Sequence, residues 1–475
     1  MPISSISARV PRTAHRPIRL AAACIAATLL IPNQPAQDFS HPDTQPAPSA
    51  PLIQQANDAL AAGDYPAALK ILASLNTQTP SNPQILYDLG LTLEALPDTA
   101  STSTEARTTN IAPLTPESCY RAAIAADPTF PAPHIALGLL LARTNRFAEA
   151  RTELIAAAKL PDITPTLAAR ALRALARLDL NGDPTSPPNP PAASDALLTA
   201  LKFAPEQPED ILLAAEIAEG DANLPAAEQA YRRYLATAPN DPQAIAALAH
   251  VLLAENHPAD AETLLVPALA HSPDDPSFTA QLAQAYLDSG DPAKISRATP
   301  LVESLHAKVP ANPAVTRLLA RIYVETGHPD QADPLYASLV AANPDHPDPT
   351  LLDAYAETLI RLRRPAAAEK LLKQAVATPS AFPTTAAFAD AATHLAFAAA
   401  EIDDPKLTLQ ALAMRAKVQP PSPSSLFLEA TANDDLHQST KAIELYKQFL
   451  TTAQGTLPDQ ESQARQRLAE LQRTK

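Results

Sequence analysis

Residues Val324 to Pro347 read VETGHPDQADPLYASLVAANPDHP, and residues Leu253 to Pro276, 71 positions earlier, read LAENHPADAETLLVPALAHSPDDP. Both stretches have His, Pro and Ala, and then two later prolines, at the same offsets. Such a match arises either from a duplicated reactive site or from a repeated structural unit. The pattern in the remainder of the chain distinguishes these two interpretations.

Proline and alanine recur at fixed intervals along most of the chain. Prolines 34 residues apart are Pro205, Pro239 and Pro273, and then Pro310 and Pro344. Pairs of alanines twelve residues apart begin at Ala215, Ala249, Ala320, Ala356 and Ala430. Between them, apolar residues follow the spacing of amphipathic helices. We therefore predict two helices per repeat, which cross closely at the alanines, with the proline ending the second helix.

This pattern resembles the tetratricopeptide repeat, which has a small residue near position 8, Ala at 20, a large apolar or aromatic residue at 24 and Pro at 32. The matching residues are Ala249, Ala261, Leu265 and Pro273 in one repeat, and Ala320, Ala332, Tyr336 and Pro344 in another. The resemblance implies an all-α, right-handed α-solenoid of about eleven helical hairpins over residues 49–457. Residues 458–475, which are charged and amphipathic, are expected to form a C-terminal capping helix.

Two segments interrupt the repeat. Residues 98–112, DTASTSTEARTTNIA, form a polar insert that we expect to be exposed. Residues 181–192, NGDPTSPPNPPA, form a Pro-rich turn that we expect to be stiff and extended.

The first 36 residues have the pattern of a secretory signal peptide, with four arginines and no acid before an apolar run from Leu20 to Ile31. Cleavage after Ala36 would leave residues 37–48 as a Pro-rich linker. Cys24 lies inside the apolar run and not at its end, which favours removal of the signal peptide over lipidation of Cys24. We expect export to a bacterial periplasm or outer envelope, or secretion. Membrane contact is expected only if Cys24 is lipidated or the signal is retained.

The charge balance narrows the class of partner. The full chain has a formal net charge of −15. Without the signal it has 32 basic and 51 acidic residues, a net charge near −19. This balance disfavours nucleic acid and anionic lipid as partners.

No pattern of enzyme, cofactor or metal site stands out. The chain has no Gly-Lys-Ser/Thr phosphate loop, no Gly-x-Ser-x-Gly, no His-Glu-x-x-His and no Cys-x-x-Cys. The pairs His257–Asp260 and His328–Asp333 belong to separate repeats and lack a third ligand, which favours a structural role at helix starts. Cys119 is either a reactive thiol or, as we favour, a small packed helix residue. Since the repeats leave no segment of domain size, we expect no enzyme.

The resemblance also places the binding surface. In stacked hairpins the first helices line a concave face, to which positions 2, 5, 9 and 12 of each repeat point. The candidate partner-binding residues are Tyr87, Leu91, Ile135, Leu139, Glu216, His250, Gln284, Arg317, Arg321, Asp353 and Glu357. The N-terminal ones are mostly apolar. The charged C-terminal ones either bind a polar segment or pair with each other, and the sequence leaves both alternatives open.

These observations predict a protein without chemistry of its own that holds an extended segment or a helix of a partner protein in its groove. The leading hypothesis is a scaffold or adaptor of the bacterial cell envelope. The alternative hypothesis is a periplasmic tetratricopeptide subunit of a polysaccharide export system, which the chain also resembles.

Overall fold

The structure is a computed structural model, and it describes residues 50–96, 114–183, 186–344 and 347–473. Within these ranges the chain is α-helical and has no β-strand. The first helices are α1 (Ala50–Ala61), α2 (Tyr65–Gln78), α3 (Pro83–Ala95), α4 (Pro116–Ala126), α5 (Pro131–Arg143), α6 (Phe147–Ala158), α7 (Pro165–Asn181), α8 (Pro190–Phe203), α9 (Pro208–Gly220), α10 (Leu224–Leu235), α11 (Pro242–Ala254) and α12 (Pro258–His271). The others are α13 (Pro276–Ser289), α14 (Pro292–Lys308), α15 (Pro313–Glu325), α16 (Pro329–Ala342), α17 (Pro349–Arg361), α18 (Pro365–Val376), α19 (Thr385–Glu401), α20 (Pro405–Ala416), α21 (Pro423–Asp435), α22 (Ser439–Ala453) and α23 (Pro458–Arg473).

The helices form two compact units, which meet in the sequence between Val251 and Leu252, inside α11. The N-terminal unit contains five helical hairpins, from α1–α2 to α9–α10, and α11 up to Val251. The C-terminal unit contains α12, five hairpins from α13–α14 to α21–α22, and α23. The helices thus follow the predicted order of eleven pairs and one last helix, and the prediction of an all-α repeat of helical hairpins is confirmed.

The hairpin turns explain the conspicuous histidines of the two matching stretches. His257 and His328 each precede a helix that has proline at its first position, as predicted. The backbone N–H of His328 donates to the Tyr323 carbonyl at 2.7 Å and closes the turn, and the N–H of His257 does the same with Leu252 at 2.8 Å. Both histidines therefore contribute to the turn through their backbone, and Nδ1 of His328 also lies 3.2 Å from Oγ1 of Thr326.

A left-handed residue makes each of these turns short. In nine hairpin turns of the described residues, the second residue before the next helix has a positive φ. Three of these residues are glycines; the others include Asn145, Ala222 and Arg363, with φ near 60°. Asn and Asp tolerate this conformation, so the backbone strain falls mainly on Ala222, Arg363 and His437.

Small residues allow the two helices of a hairpin to cross closely, as predicted. Ala320 and Ala332 are fully buried, and Tyr336 at position 24 is only 1% exposed. Gly138 shows how close the approach is, because a Cβ added there would lie 2.7 Å from Cγ of Leu154 on the paired helix. Each hairpin thus has small buried residues where its two helices cross, with larger buried residues from both helices packed around them.

The last helix, α23, packs against α22 through a single apolar stripe. Ala464, Leu468 and Leu471 lie in that stripe, whereas most of the other side chains of α23 are polar and exposed. A helix with this distribution covers the apolar end of a repeat array, as expected for a cap.

Several predictions fall outside the described residues: the signal peptide 1–36 with Cys24, the linker 37–48 and the insert 98–112. The Pro-rich turn 181–192 is described except for two residues, and the N–H of Asn189 donates to the Asp179 carbonyl of α7 at 2.7 Å. None of the helices in the described ranges has the length and apolarity needed to cross a membrane.

Candidate partner-binding rows

Neighbouring first helices lie side by side in each unit. In the N-terminal unit α3 contacts α5, α5 contacts α7 and α7 contacts α9, while in the C-terminal unit α13 contacts α15 and α17 contacts α19. We call the predicted positions on α3, α5, α9 and α11 the N-terminal row: Tyr87, Leu91, Ile135, Leu139, Glu216 and His250. The C-terminal row comprises those on α13, α15 and α17: Gln284, Arg317, Arg321, Asp353 and Glu357.

The arginines of the C-terminal row bind neighbouring hairpins. Arg317 donates to Asp348 at 2.8 Å and to Thr350 at 2.7 Å, which joins α15 to the start of α17. On the other side, Arg321 donates a long hydrogen bond of 3.4 Å to Gln284 on α13. These two arginines therefore tie three successive hairpins together.

The acids of the C-terminal row also have partners within the chain. Asp353 lies 2.7 Å from Nδ1 of His394 on α19, and Glu357 accepts a 2.7 Å hydrogen bond from Arg361 one turn further along α17. Burial would raise the pKa of Glu357, but His394 and Arg361 outweigh that effect and lower it. In the free chain, this row is a network of internal ion pairs and hydrogen bonds.

The N-terminal row begins with apolar side chains. Tyr87 packs edge-on against Phe130, with ring centroids 5.6 Å apart, and Leu91 and Leu139 lie half-buried against the core. Ile135 is only 1% exposed and belongs to the core itself. The apolar surface open to a partner therefore consists of Tyr87, Leu91 and Leu139.

At its other end the N-terminal row is polar. Nδ1 of His250 lies 2.9 Å from one oxygen of Glu219, and the other oxygen accepts a 2.8 Å hydrogen bond from the hydroxyl of Tyr231. Burial raises the pKa of Glu216, and Arg177 on α7 opposes that shift. Glu216 therefore lies close enough to α7 to interact electrostatically with Arg177.

The arginines of α7 are not among the predicted residues. Arg170, Arg173 and Arg177 follow one another at helical spacings of three and four, so they share one face of the helix. Ala176 packs in one core cluster with Ala193 on α8, seventeen residues later and not twelve. The Pro-rich turn lengthens this hairpin. A fixed spacing of twelve therefore does not identify the binding positions of α7.

His394 was missed for a related reason. The two small residues at the helix crossing of this repeat are Ala396 and Thr408, which are twelve positions apart. Helix α19 begins at Thr385, about one turn before the first position that this pair defines. A search for alanine pairs does not detect a threonine in the second position. The prediction for Cys119 is confirmed, because this residue is 1% exposed and burial raises the pKa of its thiol to about 11.

The fold defines the class of protein: an all-α repeat protein whose first helices present rows of partly exposed side chains. Family models of the tetratricopeptide repeat match residues 212–279, 252–294 and 293–352, and a second model of that repeat matches residues 53–101. The chain therefore contains tetratricopeptide repeats over these residues. No curated protein matches its sequence.

Solved structures with a similar arrangement include the tetratricopeptide domain of P58(IPK), with 16% identity over 90% of this chain and 98% of that one and a TM-score of 0.34. A tetratricopeptide protein of Parabacteroides merdae has 11% identity over 56% and 98% of the two chains, with a TM-score of 0.39. PilF of Pseudomonas aeruginosa has 17% identity over 47% and 96%, with a TM-score of 0.38. Because these TM-scores are below 0.5, the likeness says nothing about partners or cellular role.

Proposed function

We propose that this tetratricopeptide protein is a non-catalytic scaffold of the bacterial cell envelope, which binds segments of partner proteins along its first-helix rows. Tetratricopeptide repeats support a role in protein–protein interaction in general. The envelope assignment rests on the signal-like residues 1–36, and the assignment of the rows rests on the side chains described above.

One observation carries the proposal. The predicted positions on successive first helices within a unit carry polar, charged and apolar side chains, and all of them except Ile135 are partly exposed. A surface that runs from hairpin to hairpin suits an extended segment or a helix, because such a partner makes a few contacts with each repeat.

Export is tested on the protein isolated from cell fractions of its own bacterium. We expect the chain in the periplasm or outer envelope, with its amino terminus at Gln37 if the signal is cleaved after Ala36. A chain that stays in the cytoplasm with residues 1–36 attached would refute the envelope role.

Binding is tested by affinity capture from the envelope fraction. The variant Arg317→Glu with Arg321→Glu should lose partners held by the C-terminal row. Lys370→Glu with Lys373→Glu, on the exposed side of α18, makes the same charge change off the row and should retain them. Circular dichroism checks the fold of each variant. Partners that bind all variants alike would remove the C-terminal row from the proposal. Capture of glycan-synthesis or pore proteins would favour polysaccharide export.

A further inference from the structure

Helix α7 places an arginine stripe next to the apolar part of the N-terminal row. Arg173 is fixed, because its Nε and Nη2 donate to the two oxygens of Asp210 at 2.6 Å each. Asp210 is 2% exposed and lies in the first turn of α9, so Arg173 joins α7 to α9. Arg173 therefore has a structural role within the unit and is not available to a partner. The arginines on either side of it differ in this respect.

Arg170 and Arg177 have no ion pair or hydrogen bond with any residue that the structure describes. Arg170 is exposed and Arg177 is half-buried. This is unusual for the chain, because acids outnumber bases by 51 to 36 and the arginines of the C-terminal row are engaged with neighbouring hairpins. An arginine without a partner on a row that faces a ligand provides a planar donor for a carboxylate.

The two arginines adjoin the apolar part of the row. Helix α7 packs against α5, which packs against α3. Counted from the buried Ala176 as position 8, Arg170 falls at position 2 of its repeat, which is one of the row positions, as is that of Tyr87. Their proximity also appears in the Tyr87 hydroxyl: burial raises its pKa to about 12, and the positive charge of Arg170 opposes that rise. Half-buried apolar groups on α3 and α5 thus adjoin cationic groups on α7.

This inference rests on the proposed function. We propose that the N-terminal row binds a partner segment in which an aspartate or glutamate lies close to a leucine or an aromatic residue. The carboxylate pairs with Arg170 or Arg177. The apolar side chain covers Tyr87, Leu91 and Leu139, where it removes their exposed surface from water.

Both halves of this recognition are needed. A carboxylate alone on an exposed arginine contributes little, because water and salt screen the pair. An apolar side chain beside the arginine excludes water and strengthens the ion pair, and the arginine excludes apolar segments that carry a lysine or arginine at that place. A charged polymer without apolar groups, such as poly-glutamate, should therefore bind weakly.

The test is a selection of random twelve-residue peptides displayed on phage against the full chain. We expect enrichment of peptides with Asp or Glu close to Leu or an aromatic residue. The best peptide is then synthesised with a fluorescent label and its Kd is measured by anisotropy. We expect Arg170→Gln with Arg177→Gln to weaken binding at least about tenfold, which corresponds to about 1.4 kcal/mol. The matched control, Arg232→Gln with Arg233→Gln on the second helix α10, should leave Kd within about twofold.

A double-mutant cycle then assigns the contact. Replacing the peptide's acid by its amide should weaken binding to the wild-type chain about tenfold and to the Arg170→Gln, Arg177→Gln variant less than about twofold. The single variant Arg170→Gln, at an exposed position, serves as the probe if the double variant is unstable.

The proposal is overturned if no peptide is enriched, if the enriched peptides lack acids or apolar residues, if poly-glutamate binds as tightly as the peptide, or if the two arginine variants and their control behave alike. Failure of the envelope capture alone leaves this result intact, because peptide binding does not depend on cellular location.

Discussion

The hydroxyl of Tyr231 donates a 2.8 Å hydrogen bond to Glu219 across the α9–α10 hairpin, and the other oxygen of Glu219 contacts His250 on α11. The same arrangement of a tyrosine, an acid and a basic side chain from the next first helix occurs in Tyr120, Glu94 and Arg143. It occurs again in Tyr446, Asp434 and Arg467. In the last set the cation comes from α23. This helix therefore takes the place of the first helix of a further hairpin, which explains how it caps the array.

The tyrosine hydroxyl of this arrangement should contribute measurably to stability. We expect Tyr231→Phe to lower the free energy of unfolding by about 1–2 kcal/mol, because it leaves a carboxylate with one partner fewer in a partly buried place. The control is Tyr323→Phe, whose hydroxyl donates to the exposed Glu303, with an expected loss below about 0.5 kcal/mol. Urea denaturation followed by circular dichroism measures both. Equal losses would show that burial of the acid does not matter.

Close helix crossing makes Gly138 irreplaceable unless its neighbour shrinks. A Cβ at this position would lie 2.7 Å from Cγ of Leu154, so we expect Gly138→Ala to cost about 1–3 kcal/mol of unfolding free energy. In a Leu154→Ala background the same change should cost at least about 1 kcal/mol less, although the Ala150 carbonyl oxygen still lies 3.2 Å from the added Cβ. Leu154→Ala alone costs about 2–5 kcal/mol. Additive losses in the double variant would contradict the clash.

The left-handed turn residues should respond to glycine in the opposite way from helix residues. Ala222 has φ 57°, so Ala222→Gly should raise the free energy of unfolding by about 0.5–1 kcal/mol. Gly327 has φ 81° and open space around it, so Gly327→Ala should lower it by about 1 kcal/mol through backbone strain alone. Ala337→Gly, at an exposed position in the middle of α16, is the control and should lower it by about 1 kcal/mol. A loss at Ala222 equal to that at Ala337 would refute the strain.

The sequence predicted the fold well because each hairpin follows one spacing rule, as in Ala320, Ala332 and Tyr336. It predicted the site less well wherever a repeat departs from that spacing. The insert before α4 hid the equivalence of Tyr120 with Tyr231 and Tyr446, and the lengthened α7 hid Arg170. Pairing across hairpins, such as that of Asp353 with His394, depends on side chains about forty positions apart, which no repeat pattern specifies.

His394 should make the stability of the C-terminal unit depend on pH. Burial disfavours its charged form, but the carboxylates of Asp353, Glu357 and Asp390 outweigh that effect and raise its pKa from 6.5 to about 9. Arg415 on α20 acts on Asp390 and weakens this field in part. Because the folded chain holds the proton more tightly than the unfolded chain, the stabilisation is fully present below pH 6.5 and is lost as the pH rises through 9.

We therefore expect the free energy of unfolding to fall by about 1–3 kcal/mol between pH 6.5 and 9.5, measured by urea denaturation. His394→Gln should remove most of this fall, since glutamine binds no proton in that range. Asp353→Asn should lower the pKa of His394 and move the fall to lower pH, which the shift of the His394 ring proton in an NMR titration follows directly. A wild-type curve that parallels the His394→Gln curve, or a ring proton that titrates near pH 6.5, would show that the three carboxylates do not hold this proton.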